Sequence, residues 1–244
     1  MAIRAGDSLA CAPPASALNV PVVSGNVSFY NETDGVPIHP TPTIGMVGIL
    51  DKVERLVTPW FKSSGDVVVM LGARARSWAA VNIYNGYNGL TRGTPPWIDL
   101  KMEQAVQRCC LRGDRSRILR SAHRYFRRRS SRCAGGVLHR RSGKPLGVRV
   151  QTHEMIRADA LLFSESQSRI IVSLKEEDMG RLQEIGTRHN VPVQAIGVVG
   201  GTRFSIQPPV QVAGGGAQID LVERADGETE MTIHCHPEQS EGSG

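Results

Sequence analysis

One internal stretch restricts the possible folds of this chain more than any other part of the sequence. Residues 120–147 read RSAHRYFRRRSSRCAGGVLHRRSGKPLG, and between Arg124 and Arg141 there are seven arginines and no acidic residue. The stretch follows neither the helical nor the strand period, so it offers no regular apolar face to bury. It is either a basic arm for an anionic partner such as nucleic acid, or a segment foreign to the surrounding fold.

The net charge of +6 is concentrated in that stretch. Without its seven arginines, 22 basic residues face 23 acidic ones, which is close to neutral. The hydrophobic content of 40% is ordinary for a soluble protein, and 244 residues suffice for one large domain or two smaller ones. No apolar run approaches a membrane span, no secretory signal is recognisable, and the five cysteines lack CxxC spacing. A reduced, cytoplasmic protein is therefore expected.

Outside the arginine stretch, predicted strands and helices alternate. Short apolar runs bounded by glycine, proline or polar residues predict strands within 19–25, 40–50, 65–72, 158–163, 169–174 and 193–206, the last interrupted by a Gly-Gly turn. Helical apolar spacing predicts helices over 99–113, through Met102, Val106, Cys109 and Cys110, and over 176–191, through Met179, Leu182 and Ile185. This order is typical of an α/β or α+β protein with a mixed sheet. The run 65–72 is apolar throughout, as in a strand buried on both faces.

The densest polar cluster after a predicted strand is SGNVSFYNET, residues 24–33. Gly25 has no Cβ to keep a phosphate away from the backbone. Asn26 offers a carbonyl oxygen of the kind that Mg²⁺ accepts, and Ser28 offers a hydroxyl to a phosphate or amide. The alternative is a turn whose side chains cap their own backbone.

A second polar cluster is FSESQSR, residues 163–169, which places Glu165, Ser166 and Gln167 between two apolar runs. These three side chains could orient a ligand, or they could merely cross the end of a sheet. Spacing does not distinguish the two interpretations.

Five motifs in this sequence together resemble the C-terminal part of phosphoribosylformylglycinamidine synthase, the PurL family of purine biosynthesis. They are PVVSGNVSFYNET, PTPTIGMVGILDKVE, GDVVVMLG, LLFSESQSRIIVS and IGVVGG, and they occur in the family's order between about Leu18 and Ile206. The resemblance implies a PurM-like architecture. Residues 1–40 would be the end of an A-type domain and 41–222 a B-type domain, and the polar tail 223–244 is expected to be disordered.

The resemblance also implies a ligase-type reaction, the ATP-dependent amidation of formylglycinamide ribonucleotide. Ammonia would come from glutamine through a glutaminase subunit or domain, with ATP and Mg²⁺ required. By position, Gly25 resembles an ATP contact, Asn26 a Mg²⁺ ligand and Ser28 a substrate contact. The triplet Glu165–Ser166–Gln167 resembles the pseudo-symmetric copy of the family's substrate-binding triplet.

The family's catalytic histidines lie in its N-terminal half, which this sequence does not include. We therefore assign no catalytic residue and expect the chain to be an inactive fragment on its own. Its partners would be the substrate, the glutaminase and the missing N-terminal half, with no membrane and no nucleic acid.

The codons that can encode the arginine stretch indicate a shifted reading frame. At this position the family reads like SAHDCSEGGLAVALAE, and codons made from two bases of one residue and one of the next can turn 124–141 into DISEGGLAVALAECCIAG. A second shift, within about 74–88, can turn RSWAAVNIY into a string containing GGSEY, again as in the family. Both stretches are interpreted as frameshifted.

Two other functions are compatible with the sequence. The chain could be a basic nucleic-acid-binding α/β protein that uses the stretch between Arg124 and Arg141, since neutralised phosphates release counterions. It has little aromatic interleaving there and matches no recognition module. It could also be a non-catalytic structural domain that retains only the pseudo-symmetric site.

Overall fold

The computed structural model describes residues 14–26, 32–37, 43–72, 97–124, 146–151, 166–201, 204–207, 211–212, 215–223 and 229–235 of the chain. The chain divides into two compact units, Met1–Leu56 and Val57–Gly244. The predicted segments 1–40, 41–222 and 223–244 correspond to domains of the family, whereas the two units are defined by contacts within the chain. The division into units therefore does not test the predicted domain bounds.

In the first unit, residues 14–18 are helical, and a short hairpin joins β1 (Glu32–Thr33) to β2 (Val36–Pro37). Its two central residues, Asp34 and Gly35, have positive φ values of 51° and 75°. Two consecutive left-handed residues are the geometry of a type I′ turn, for which Asp-Gly is a preferred sequence. A 3-10 turn at Val53–Arg55 follows.

The first unit lacks the strands predicted within 19–25 and 40–50. Residues 20–26 and 43–50 have no regular secondary structure and pair with none of the described strands. Their apolar side chains lie largely in solvent, with Val23 91%, Val47 101% and Ile49 96% exposed. Both predictions are wrong for the described residues, because β-branched residues favour a pleated surface only when a neighbouring strand supplies the hydrogen bonds and packing.

The second unit contains one large mixed sheet. Its elements are β3 (Val67–Gly72), α1 (Leu100–Arg115), β4 (Leu119–Arg124), β5 (Val148–Gln151), β6 (Arg169–Leu174), a 3-10 turn at Glu176–Asp178, α2 (Met179–Arg188), β7 (Val193–Val199), β8 (Phe204–Gln207), β9 (Gln211–Val212), β10 (Gly215–Glu223) and β11 (Thr229–Cys235). The order across the sheet is β11-β10-β8-β5-β7-β3-β6-β4, with β9 pairing with β10. Among the described pairings, β5 with β8 is parallel and the others are antiparallel.

Helix α1 begins where Asp99 caps it, since the Asp99 carboxylate accepts hydrogen bonds from the backbone N–H groups of Lys101 and Met102 at 2.9 and 3.2 Å. Val106 and Cys109 are buried in the core, as their spacing predicted. The helix ends at Arg115, later than the predicted end at residue 113. Helix α2 also confirms its prediction, with Leu182 buried and Met179 and Ile185 packed against the same core.

The sheet buries apolar side chains on both faces. Alternate residues of β3 point to opposite sides, so Val69 and Leu71 contact the helices while Val68 belongs to a second cluster. The first cluster contains Val69, Leu71, Val106, Cys109, Ile118, Leu119, Val172, Leu174, Leu182 and Val191, and the second contains Phe61, Val68, Val148 and Val199. The prediction that the run 65–72 is a strand buried on both faces is confirmed.

One sequence prediction about strands is confirmed and one needs correction. Strands β7 and β8 flank the Gly-Gly segment as predicted, and β5 lies between them in the sheet. Part of the tail predicted to be disordered forms β11, which pairs with β10 from Ala217↔Cys235 to Glu223↔Thr229. Its alternating Thr, Met, Ile and Cys suit a strand once β10 offers an edge. The strand predicted at 158–163 lies outside the described residues.

Candidate functional site

Three segments of the second unit meet at one end of the sheet. In the strand register, Gly72 at the end of β3 pairs with Arg169 at the start of β6. Arg124 at the end of β4 pairs with the next β6 residue, Ile170. A polar turn formed by residues 166–168 leads into β6 at this same end.

The same end of the sheet is where both stretches interpreted as frameshifted depart from the described structure. The stretch 74–88 follows β3, and the stretch 124–141 begins at the last residue of β4. Apart from Arg124, both lie outside the described residues. The last described residues before them, Gly72 and Arg124, lie on either side of β6 at the end of the sheet that carries the polar turn.

The polar turn is held by a buried arginine. Arg169 is only 4% exposed. Its Nε–H and Nη2–H groups donate hydrogen bonds to the carbonyl oxygen of Ser166 at 3.2 and 3.1 Å. Ser168, between them, has a left-handed backbone with φ of 59°. A left-handed serine is uncommon, and its strain persists because the surrounding contacts hold it.

Gly72 allows the turn to approach the end of β3. A Cβ atom at this position would lie 1.9 Å from the carbonyl oxygen of Ser168, and the φ of Gly72 is 109°. Both observations require glycine here. The Gly72 N–H donates to the carbonyl oxygen of Pro192 at 2.9 Å, which ties the same point to the start of β7.

Two hydroxyl groups of the turn are buried without hydrogen-bond partners among the described residues. They are the Oγ atoms of Ser166 and Ser168, and Ser168 as a whole is 7% exposed. A buried hydroxyl without a partner is destabilising, and such groups cluster where a ligand or an ordered water supplies the missing bond. The turn therefore offers polar groups, already desolvated, that can orient a small polar ligand.

The predicted site residues divide between the two units. Gly25 and Asn26 are exposed in the first unit, and no described atom lies within 4 Å of the position where a Cβ of Gly25 would be. Ser166 and Gln167 lie half-buried in the polar turn of the second unit. Ser28 and Glu165 lie outside the described residues.

Sequence reasoning missed the residues that shape the turn. An arginine at the first position of a largely apolar strand was a usable signal for Arg169, because a buried arginine requires specific partners. A glycine that closes the run 65–72 was a weaker signal for Gly72. The left-handed conformation of Ser168 has no sequence signal.

An ion pair between a buried aspartate and a half-buried arginine lies at the opposite end of the sheet. The carboxylate of Asp66, a residue 3% exposed, accepts a hydrogen bond at 3.0 Å from Nη1 of Arg120. Burial raises the pKa of Asp66, and the positive charge of Arg120 acts against that rise. This pair joins the start of β3 to β4, away from the polar turn.

The thiols of Cys109 and Cys110 lack the character of a nucleophile. Burial raises the pKa of the Cys109 thiol to about 11 and that of Cys110 to about 12. Within the described parts of the chain, no three His, Cys, Asp or Glu side chains are grouped so that they could hold a metal ion. No helix among the described residues has the length and apolar character needed to cross a membrane.

Comparison with known proteins identifies a related family. No protein-family profile matches the sequence. The phosphoribosylformylglycinamidine synthase subunit PurL of Anaeromyxobacter sp. (strain K) is 37% identical over 203 residues, which cover 80% of this chain and 27% of that protein. PurL of Thermomicrobium roseum is 38% identical over 198 residues, covering 78% and 26%. Thermotoga maritima PurL complexed with FGAR superposes with a TM-score of 0.52 at 16% identity, covering 75% of this chain and 34% of that one.

The mixed sheet, the helices packed on it and the structural match define an α/β protein of the PurM-like class. The sequence matches identify the segment more closely. The chain corresponds to part of the PurL subunits of phosphoribosylformylglycinamidine synthase, which confirms the resemblance inferred from the motifs. It spans about a quarter of the length of the curated relatives it matches.

Proposed function

We propose that this chain supplies part of a phosphoribosylformylglycinamidine synthase, which converts formylglycinamide ribonucleotide to the amidine with ATP and ammonia. The observation that carries the proposal is the 37% identity over 203 residues to a PurL subunit. The order of the five motifs, including the two polar clusters, agrees with that assignment.

The first unit would contribute nucleotide-binding groups. Space is open around the missing Cβ of Gly25, so described atoms do not obstruct a phosphate that approaches its backbone. Asn26 is exposed, and its amide oxygen is a hard ligand suited to Mg²⁺. Asn26 would hold Mg²⁺, which would offset the negative charge of the phosphates, while Gly25 would contact the nucleotide and Ser28 the substrate.

The second unit would contribute the polar turn. We assign the triplet Glu165–Ser166–Gln167 to the site that corresponds by pseudo-symmetry to the substrate site of the family. The buried hydroxyl of Ser166 supports a ligand-orienting role, because it lacks a partner within the described structure.

Activity would require more than this chain. The relatives are about three times as long as this chain, and the groups that complete their reaction are proposed to lie in the part that this chain does not span. Ammonia would come from a glutaminase subunit or domain. The chain alone is therefore proposed to be inactive.

The sheet topology supports the proposal that the stretch 124–141 is frameshifted. Strands β4 and β5 run parallel in the sheet, with β6, β3 and β7 between them. The segment that joins two parallel strands of one sheet must run from the end of the first strand back to the level where the second begins. This crossover is usually a helix packed on the sheet. An arginine-rich crossover cannot pack in this way, because burying unpaired guanidinium groups costs several kcal/mol. The shifted reading restores Leu, Ala and Val.

The encoding DNA tests the frameshift directly. We expect single-base insertions or deletions bracketing roughly 73–88 and 124–142, because the flanking motifs are in the correct frame. A verified gene whose shifted frames lack the two glycine-rich strings would refute it.

Reconstitution tests the function. The chain as written is incubated with ATP, Mg²⁺, ammonia and formylglycinamide ribonucleotide, and amidine is measured against a control without protein. We expect no turnover, and we expect turnover when both stretches are restored and the remaining part of a PurL relative is added. Product from the unmodified chain alone would contradict the assignment of the active site.

A further inference from the structure

We propose that Arg169 is a positioning residue that sets the orientation of the Ser166–Gln167 peptide at the candidate site. Its guanidinium group donates two hydrogen bonds, from Nε and Nη2, to the single carbonyl oxygen of Ser166. That carbonyl and the N–H of Gln167 belong to one planar peptide unit. Fixing the oxygen therefore also fixes the direction of the Gln167 N–H.

The surroundings of Arg169 make this anchor rigid. The residue is 4% exposed and stands opposite Gly72 in the β3–β6 ladder, so its backbone position is set by the sheet. The other side of the turn is held where the Ser168 carbonyl oxygen contacts Gly72. The turn is thus fixed at both ends, by the Arg169 hydrogen bonds and by backbone contact.

Arginine is required by the geometry of these contacts. Its planar group presents Nε and Nη2 as a fork with fixed spacing, and both reach one acceptor. A lysine would keep the positive charge but could not reproduce the fork. Replacement of Arg169 by lysine therefore separates the effect of the positive charge from the effect of the guanidinium geometry.

Arg169 affects function through the placement of two hydroxyl groups that lack hydrogen-bond partners among the described residues. Ser166 Oγ and Ser168 Oγ are buried on either side of Gln167, and their directions depend on the turn that Arg169 holds. The link to ligand binding rests on the proposed function, whereas the anchoring of the peptide does not.

The first experiment measures the anchoring by NMR in the full chain. The variants are Arg169→Lys and Arg169→Met, and the control is Arg149→Lys, an exposed arginine of β5 in the same sheet. We expect the carbonyl carbon of Ser166 to move upfield and the Gln167 amide signal to shift in both Arg169 variants, with no change in the control. Unchanged signals, or an equal change in the control, would overturn the proposal.

A measurement on the unmodified chain covers the case in which both variants fail to fold. Hydrogen bonding and burial should slow exchange of the Arg169 Nε proton with water relative to that of the exposed Arg149. An Arg169 Nε proton that exchanges as fast as that of Arg149 would overturn the anchoring.

The second experiment measures binding of formylglycinamide ribonucleotide to the same proteins by calorimetry. We expect Arg169→Lys to weaken binding by about tenfold or more, the loss typical of a charge-assisted hydrogen bond, and Arg149→Lys to leave it unchanged. Binding is also measured for the chain with both stretches restored, because the proposed function requires them. If that chain binds no ribonucleotide, the proposed function of the turn fails while the NMR result still decides the anchoring. If binding is normal in Arg169→Lys although the NMR signals move, Arg169 does not position the ligand-binding groups.

Discussion

Replacement of Gly72 by alanine tests the contact that shapes the candidate site. The new Cβ would lie 1.9 Å from the carbonyl oxygen of Ser168, a distance that backbone atoms cannot accept. The φ of 109° adds a conformational cost, since residues with a side chain avoid this region. Either the end of β3 or the turn before β6 must move.

The expected loss of stability has two parts. A strained backbone conformation costs about 1–3 kcal/mol, and forcing an extra methyl group into a packed position typically costs about 1–3 kcal/mol more. The Gly72→Ala variant should therefore lose about 2–6 kcal/mol, a large share of the roughly 5–15 kcal/mol that stabilises a typical domain.

Gly65 provides a matched control for the cost of the strained backbone conformation. It also has a positive φ, of 90°, but nothing lies within 4 Å of the position of its Cβ. Gly65→Ala should therefore show only the conformational cost of about 1–3 kcal/mol. The difference between the two variants isolates the contact with Ser168.

Urea unfolding of the two variants, followed by circular dichroism, measures both free energies from the midpoint and slope. We expect Gly72→Ala to unfold at a clearly lower urea concentration than Gly65→Ala. Equal midpoints at equal slopes would refute the conclusion that β3 and the turn are in obligatory contact.

Three further predictions concern other residues. The thiols of Cys109 and Cys110, with pKa values of about 11 and about 12, should resist alkylation at pH 8 in the folded chain and react after unfolding, so rapid labelling of the native chain would contradict their burial. Burial raises the pKa of Asp66 above its ordinary 3.8, so the folded state holds this proton more tightly. The free energy of unfolding of the unmodified chain, relative to that of Asp66→Asn, should therefore fall as the pH rises above 3.8 and level off once Asp66 is ionised. Urea titrations at several pH values that show a rise instead would contradict this prediction. In a synthase with both stretches restored, Asn26→Ala should weaken Mg²⁺–nucleotide binding, whereas an unchanged Mg²⁺ dependence would mean that Asn26 only caps its turn.

The local elements of the second unit could be predicted from the sequence. Strand β3 and helices α1 and α2 have strong periodic patterns, and the core residues Val106, Cys109 and Leu182 lie where that spacing placed them. Patterns of this kind succeed because each element buries one stripe or both faces against a core. The family could also be recognised from the sequence, because five motifs occur in the family's order.

Other features depended on contacts between distant residues. The runs containing Val23 and Val47 have strand-like composition, yet a strand also needs a partner, and no described strand pairs with them. Strand β11 shows the opposite case, since a polar tail becomes a strand where β10 offers an edge. Pairing is a property of two segments, so the composition of one cannot determine it.

The sequence by itself determined the helices, the buried central strand and the kinship with the PurL subunits, because periodic patterns and specific motifs are local. The polar cluster containing Ser166 and Gln167 was also visible in the sequence. Only the tertiary structure decided that Arg169 holds this cluster and that Gly72 contacts it. Those contacts join residues far apart in the chain, and their geometry exists only once β3 and β6 are paired in register.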